Sequence, residues 1–447
     1  MSQINTRVIS VDMIIEIMEN NRLSHIVLRE GLKDIQDKQD RGFITRLVMG
    51  TVEKAITLDY IINEFSKIKT KKMKPLIRNL LRMSVYQIVY MESIPDSAIC
   101  NEAVKIAKKR KFVNLAGFVN GVLRNIARDY NKIIYPKEDT IQGISVKYSC
   151  PEWIVSKLIN DYGKDNVESI LNDKVDKSGV TIRVNTSKTS LLEVIQSLEE
   201  QGVNITRGKY CEESLILKNI DNIEGLECFK KGYVQPQDES SMLVGLIAGA
   251  ISGNYVIDVC SAPGGKSIHI ADILNGSGKV DARDINEYKV GLIKENIERT
   301  GMENITAKVW DATVSDMDAI KKADIVIADV PCSGLGVLNS KGDIKYHLTE
   351  EGMYELEKIQ RNILTVVSEY VKPGGTLIYS TCTINPGENI ENTKWFVENF
   401  DFELESMDEY LPEILRNETT RKGYLQLVQG MDECDGFYIA RLRRGKD

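Results

Sequence analysis

Histidine is scarce in this 447-residue chain: His25, His269 and His347 stand far apart. Three scattered imidazoles do not make a metal site and argue against a histidine-driven hydrolase. Cysteine is sparse too. Cys100, Cys150, Cys211, Cys228, Cys260, Cys332, Cys382 and Cys434 include no Cys-x-x-Cys pair, which excludes a disulfide scaffold and the common zinc patterns and points to reduced thiols in the cytoplasm. No apolar run approaches the ~20 residues that span a bilayer, and Met1–Asp12 lacks the apolar core of a secretory signal. No metal and no membrane partner are expected. What remains is an ordinary globular composition, long enough for two to four domains at roughly 100–200 residues each.

Charge is unevenly spread. The net is −7, yet residues 1–140 carry 24 Lys and Arg against 16 Asp and Glu, a net of +8, while the remainder, at 34 against 49, is −15. The basic excess is clustered in Lys67–Lys74 (KIKTKKMK) and Lys105–Lys111 (KIAKKRK). One lysine run is usually a solvated helix face; two in one half of an acidic chain point to a polyanion surface, RNA or DNA.

Apolar residues at three- and four-residue spacing, as in Val8-Val11-Ile15-Met18 and Leu76-Leu80-Met83, make residues 1–140 an all-helical domain, with breaks expected at Gly31, Gly42, Pro75 and Pro95. Tyr135–Thr140 reads as a linker. Residues 141–235 form a small α/β module: a helix after Pro151, a strand at Val180–Val184, a helix over Ser190–Gln201 and a short strand at Leu215–Leu217. From 236 to 447 strands alternate with helices, the strands falling at Tyr255–Val259, Lys279–Arg283, Thr306–Val309, Ile325–Ala328 and Thr376–Tyr379. That alternation predicts a parallel sheet of Rossmann-like type, with its ligands beyond the carboxyl ends of the strands.

The loops at those ends hold the unusual residues. The first is Asp258-Val-Cys260-Ser261-Ala262-Pro263-Gly264-Gly265-Lys266-Ser267. Its glycines allow close backbone approach, and the following helix offers free N–H groups. A Walker loop needs glycine where Cys260 stands, and Gly-x-Gly-x-x-Gly is not met, so a nucleoside-like ligand is favoured over a nucleotide triphosphate or dinucleotide. Asp284 ends the second strand, placed for ribose hydroxyls or for capping the next helix. Asp311 ends the third, placed for a purine amine or for a turn.

The fourth strand runs into Asp329-Val-Pro-Cys332-Ser-Gly334, the fifth into Ser380-Thr-Cys382-Thr-Ile-Asn-Pro386-Gly-Glu388-Asn389. Two cysteines thus reach the ligand edge in Gly/Pro/Ser/Thr loops rather than apolar stretches, where a cation such as Lys266 favours the thiolate. A thiolate, an acid at Asp329 and an adenosine-like cofactor suit methylation at carbon five of cytosine. That carbon is inert until sulfur adds to carbon six while an acid engages ring nitrogen three. Spacing does not choose between Cys332 and Cys382 as the nucleophile.

In order along the chain, TIRVNTSK, YVQPQDESSMLV, DVCSAPGGKS, ARDI, VWDATV, DVPCSGLGV, YSTCTINPGEN and DGFYIARLRR resemble the motifs of the RNA cytosine-5 methyltransferase superfamily. The segments LVMGTVE, LRMSVYQIVYMESIP, NEAVKIAKK and GFVNGVLRNIAR resemble the antitermination-factor, NusB-like, RNA-binding fold. A NusB-like head on this core is similar to the bacterial enzymes that methylate a cytosine of 16S ribosomal RNA. The resemblance implies S-adenosylmethionine as cofactor, wrapped by Cys260, Ser261, Ala262, Pro263, Gly264, Gly265 and Lys266, with Asp284 on its ribose, Asp311 by its adenine and Asp329 between it and the target base. It also implies Cys382 as nucleophile, Cys332 as the thiol that assists release, and a monomer acting on 16S RNA or a small-subunit intermediate.

The chain departs from the family pattern at Asn339, Ser340 and Gly342, where basic residues and a proline are expected; Lys341 or Lys345 is the candidate to supply that charge. The competing readings are a methyltransferase of transfer RNA or DNA, and an RNA-binding factor with a silent enzyme domain.

Overall fold

The computed structural model describes residues 5–172, 179–220 and 222–446. The chain divides into two compact units, one running to Asn172 and including Lys341–Leu348, the other holding the rest.

The first unit is helical. Its helices span Thr6–Met18, Ser24–Leu32, Lys38–Glu53, Ala55–Phe65, Pro75–Tyr90, Asp96–Lys109, Val113–Asp129, Ile141–Tyr148, Glu152–Tyr162 and Lys164–Leu171. Pro75 takes the first helical position, where its missing N–H costs nothing. The helix it opens is buried nearly all round, with Leu80, Leu81 and Val85 fully enclosed among Leu47, Leu58, Ile61 and Leu123. Its buried guanidinium, Arg82, is matched in two bonds by Asp59, at 2.6 and 2.7 Å. Gly31 and Gly42 do not interrupt helices but lie inside them. A single glycine costs about 1 kcal/mol against alanine, less than burial of Ile44, Leu47 and Val48 returns to that helix. Helices 141–171 also belong to this unit, which therefore runs past residue 140.

The segment Lys341–Leu348 is bound in by specific contacts. Asp343 accepts from the Ser24 backbone N–H at 2.8 Å, and Lys345 Nζ donates to the Glu53 carbonyl at 3.1 Å. Lys345 is buried, and desolvation pulls its ammonium down to about 8, so it does not present a charge to RNA as the sequence suggests. Lys341 stays exposed.

Among the described residues, the second unit contains two sheets. Strands β1 (Val180–Val184), β2 (Asn204–Arg207), β3 (Ser214–Lys218) and β4 (Val234–Pro236) form an antiparallel sheet in the order β2-β3-β1-β4. The helix Leu191–Glu200 beside them is started by a capping box between Ser190 and Glu193. The larger sheet comprises β5 (Tyr255–Asp258), β6 (Lys279–Asp284), β7 (Ile305–Val309), β8 (Ala323–Asp329), β9 (Val371–Thr381), β10 (Phe402–Leu404), β11 (Tyr424–Leu427) and β12 (Phe437–Arg444). Its order is β10-β12-β9-β8-β5-β6-β7, with β11 also on β12. Strands β5 to β9 are mutually parallel and β12 runs antiparallel against β9. This is the Rossmann-like domain, with its reversal of strand order beside β5.

A buried polar joint fixes the smaller sheet to the larger domain. Arg183 on β1, wholly enclosed, donates to Asp272 at 3.3 Å and to Gln237 at 3.0 Å. Asp272 also accepts from the Thr186 and Ser187 backbone N–H groups. Asp272 lies on the helix Gly265–Ile273, which begins in the glycine loop, so the small module is anchored to the helix that leaves the ligand edge.

Candidate active site

Strand β5 ends at Asp258, and the chain turns through Cys260–Gly264 into the helix Gly265–Ile273. Gly264 has φ +104°, a region that residues with a Cβ rarely adopt. Asp258 is fully buried and accepts from Ser267 Oγ at 2.5 Å, and Ser267 meets Ser261 at 2.7 Å. Burial pushes the Asp258 carboxyl up to about 7. One aspartate thereby closes the loop from beneath.

Asp284, at the end of β6, braces the same loop from the side. Its Oδ2 accepts from the Ala262 N–H at 2.9 Å, and its Oδ1 accepts from the Ile285 N–H at 2.8 Å and pairs with Lys289 at 3.0 Å. The helix that follows is capped by Asn286 and not by Asp284. The Trp310 N–H donates to the Asp284 carbonyl, which draws the end of β7 alongside. Asp311 next to it commits one oxygen to its own turn, accepting from Thr313 N at 2.9 Å and Thr313 Oγ1 at 2.7 Å.

Asp329 ends β8 and pairs in register with Ser380 on β9. Its Oδ2 accepts from Lys266 Nζ at 2.8 Å and its Oδ1 from Ser380 Oγ at 2.8 Å. The ammonium of Lys266 lies over the Phe437 ring, 5.2 Å from its centroid; burial lowers its pKa, but the charge and hydrogen bond of Asp329, with the charges of Asp258 and Cys382, together outweigh burial and raise it. Lys266 thus stays cationic at the junction of the β5 and β8 loops.

The two thiols meet there. Cys332 and Cys382 place their Sγ atoms 3.3 Å apart, and both remain partly exposed. Three loops interlock to hold them. The Gly336 N–H donates to the Cys382 carbonyl at 3.2 Å, and the Gly436 N–H donates to the Gly336 carbonyl at 2.8 Å. A Cβ on Gly336 would sit 2.1 Å from the Gly436 carbonyl oxygen, so only glycine admits this approach. Beneath them Glu388, fully buried, gathers Ser333, Gln360 and Asn385.

The structure therefore brings Lys266, Asp329, Cys332 and Cys382 together, with Cys260–Gly265 and Asp284 along the same strand edge. Sequence reasoning passes over Ser267, Ser380, Glu388 and Gln360. The first three stand inside the loop motifs but look like turn residues; Gln360 lies in a helix interior and carries no local signal.

Comparison with known proteins assigns the parts of the chain to families. Residues 4–128 match the NusB family model, residues 150–224 that of the RsmF/B-like ferredoxin-like domain, and residues 250–443 that of the 16S rRNA methyltransferase RsmB/F. The chain is 37% identical, over 99% of its length and 100% of the relative's, to a probable ribosomal RNA small subunit methyltransferase B of Bacillus subtilis. It is 29% identical to the ribosomal RNA small subunit methyltransferase B of Proteus mirabilis, over 92% of this chain and 95% of the other. Among solved structures, the protein PH0851 superposes with a TM-score of 0.83 at 25% identity, covering 99% of both chains. NSun6 from Pyrococcus horikoshii shares the fold over 70% of this chain and 99% of its own, with a TM-score of 0.57 at 22% identity. The chain belongs to the ribosomal RNA small subunit methyltransferase B family.

Proposed function

We propose that the protein methylates carbon five of one cytosine in 16S ribosomal RNA, with S-adenosylmethionine as methyl donor and a transient bond between Cys382 and carbon six of the base. The observation that carries this reading is the pair of thiols, 3.3 Å apart and partly exposed, at the strand edge where Lys266 and Asp329 are bonded.

The residues present fit the cofactor. The left-handed turn at Gly264 bares the first N–H groups of the helix from Gly265, suited to a carboxylate, and Asp284 ends the neighbouring strand with oxygens suited to a ribose. When bound, S-adenosylmethionine supplies an electrophilic methyl group.

The protein's own residues prepare the base. The Cys382 thiolate adds to carbon six, and the electron pair of the ring double bond shifts toward ring nitrogen three, which takes the proton of the Asp329 carboxyl group and leaves it as carboxylate. Carbon five is now enamine-like and nucleophilic. After methylation it gives up its proton to water, the double bond re-forms, and the carbon–sulfur pair returns to Cys382 as thiolate. Nitrogen three returns its proton. Cys332, next to the leaving sulfur, assists this release. The two steps each have a lower barrier than direct attack.

The first unit supports an RNA substrate. Lys71, Lys72, Lys108 and Lys109 are all exposed and suited to phosphate contacts, and the target base must leave its stack to reach sulfur. The test is methyl transfer from labelled S-adenosylmethionine to unmodified 16S RNA, followed by nucleoside analysis. Label in 5-methylcytidine is expected. Label in another nucleoside overturns the reading, as does none at all.

A further inference from the structure

Two adjacent thiols raise a question that their spacing leaves open: what makes them unequal? Two sulfurs 3.3 Å apart form an S–H···S contact in which either can be the donor, and local charge decides which sulfur keeps its proton when the other is ionised.

The surroundings are asymmetric. Lys266 is bonded to Asp329, which Ser380, two residues before Cys382, also holds, and the charge of Cys382 is among those that raise the Lys266 pKa. Beneath Cys332 stands Glu388, with no exposed surface. Its carboxylate accepts from the Ser333 backbone N–H at 2.9 Å, from Ser333 Oγ, from Gln360 Nε2 at 2.8 Å and from Asn385 Nδ2 at 3.0 Å. All four donors are uncharged, so they hold the carboxylate without neutralising it. Two of them belong to the residue directly after Cys332, and Asn385 lies three residues after Cys382. Gln360 also donates to the Pro331 carbonyl at 2.9 Å, and Ser333 Oγ meets Thr383 Oγ1 at 2.7 Å. One side chain therefore clamps both cysteine turns and places a negative charge against one of them.

We propose that Glu388 is the positioning residue that fixes the two sulfurs in unequal roles: it pins the Pro331–Ser333 turn against the Thr381–Asn385 turn, and its charge keeps the proton on Cys332 so that Cys382 is the attacking sulfur. This rests on the covalent reading above and deepens it. The Cys332 thiol then donates to the Cys382 thiolate before attack and again when that thiolate leaves carbon six.

Of the other groups facing Cys332, the Gly334 backbone N–H lowers its pKa, and the rest raise it or are neutral. Cys382 and Glu388 both raise its pKa along with burial, and the Tyr379 hydroxyl, itself driven upward by burial, stays protonated. Glu357, from the helix Glu350–Ser368, accepts from the Asn385 amide at 3.4 Å. Asp329 ends the strand that runs into Cys332, and its charge is paired with Lys266.

The test is alkylation of the full-length protein by iodoacetamide from pH 6 to 10, read by mass spectrometry on each cysteine peptide. In a Cys382→Ala background, adding Glu388→Gln is expected to lower the Cys332 midpoint and speed its alkylation at pH 8 roughly tenfold, the factor for one pH unit in thiolate fraction. In a Cys332→Ala background the same change is expected to alter Cys382 less than about twofold. An unchanged Cys332 profile overturns the proposal. So does equal acceleration of both cysteines, which is what a loosened fold gives. Should Glu388→Gln not fold, the Cys382→Ala protein decides with Glu388 in place. A Cys332 midpoint there above that of Cys382 in the Cys332→Ala protein supports the proposal, and one equal to or below it overturns it. No RNA or methyl donor enters these measurements, so their failure is distinct from a failure of the base-methylation reading.

Discussion

The sulfur atoms of Cys332 and Cys382 lie 3.3 Å apart at the ends of adjacent parallel strands, although fifty residues separate them in the chain. An enzyme that must both form and break a carbon–sulfur bond gains from this arrangement, because one thiol attacks while its neighbour holds a proton beside the leaving sulfur. Lys266 and Asp329 stand at the same edge and link the pair to the glycine loop.

Asp329 accepts from Lys266 and Ser380 with separate oxygens, which aims the carboxylate while leaving its other lone pairs available. Asp329→Asn is expected to lower kcat by roughly 10²–10⁴-fold, the range for loss of a positioned acid or base. Cofactor affinity should change far less. Single-turnover methylation together with a cofactor titration checks this. A loss below threefold contradicts the role.

The exposed lysines of the first unit are expected to bind RNA through counterion release. Replacing Lys71, Lys72, Lys108 and Lys109 with alanine together should weaken RNA binding and reduce the slope of log K against log salt by about 0.7–0.9 for each phosphate that is no longer neutralised. Cofactor binding should be unaffected. Binding isotherms at several salt concentrations decide it; an unchanged slope makes both runs plain solvated surface.

Asp258 gives a pH dependence of known sign. Its carboxyl is raised to about 7 in the folded protein from an ordinary value of 3.8, so the native state holds a proton that the unfolded chain releases. Its contribution to stability is full below about pH 4 and is lost as pH rises toward 7. Asp258→Asn, which carries no charge at any pH, should therefore gain on the wild type as pH rises through that window, by up to about 4 kcal/mol. Urea unfolding at pH 4.5 and 7.5 measures the gain. A difference that stays constant across the window contradicts the assignment.

Much of this is legible in the sequence because it is local. Of the parallel strands, β5, β8 and β9 carry short apolar runs between turn residues, and Pro75 marks a helix start. The loops at the strand ends follow from the topology alone, which is why Asp329, Cys332 and Cys382 are visible as a group. The less visible parts depend on tertiary context. Strand β2 is largely exposed and shows no apolar alternation, and β4 and β10 are three residues long. Gly42 looks like a break because its cost is local, whereas the burial that outweighs it is not. Lys345 looks like a charge for RNA because nothing in its neighbourhood of sequence reveals that the Glu53 carbonyl, 292 residues away, accepts a hydrogen bond from it. Asp284 and Asp311 each have two readings from sequence. The structure shows the bracing and turn bonds they make in the protein itself, and these are compatible with ligand contacts through the remaining lone pairs.

The covalent step is the central claim, and trapping it is the most direct test. Full-length wild-type protein, Cys332→Ala and Cys382→Ala are each incubated with 16S RNA and S-adenosylmethionine and run on a denaturing gel. The account predicts that Cys332→Ala accumulates an RNA-linked band because release fails, that Cys382→Ala gives neither band nor methylation, and that the wild type turns over. An RNA-linked band in Cys382→Ala, or its absence from Cys332→Ala, would contradict it.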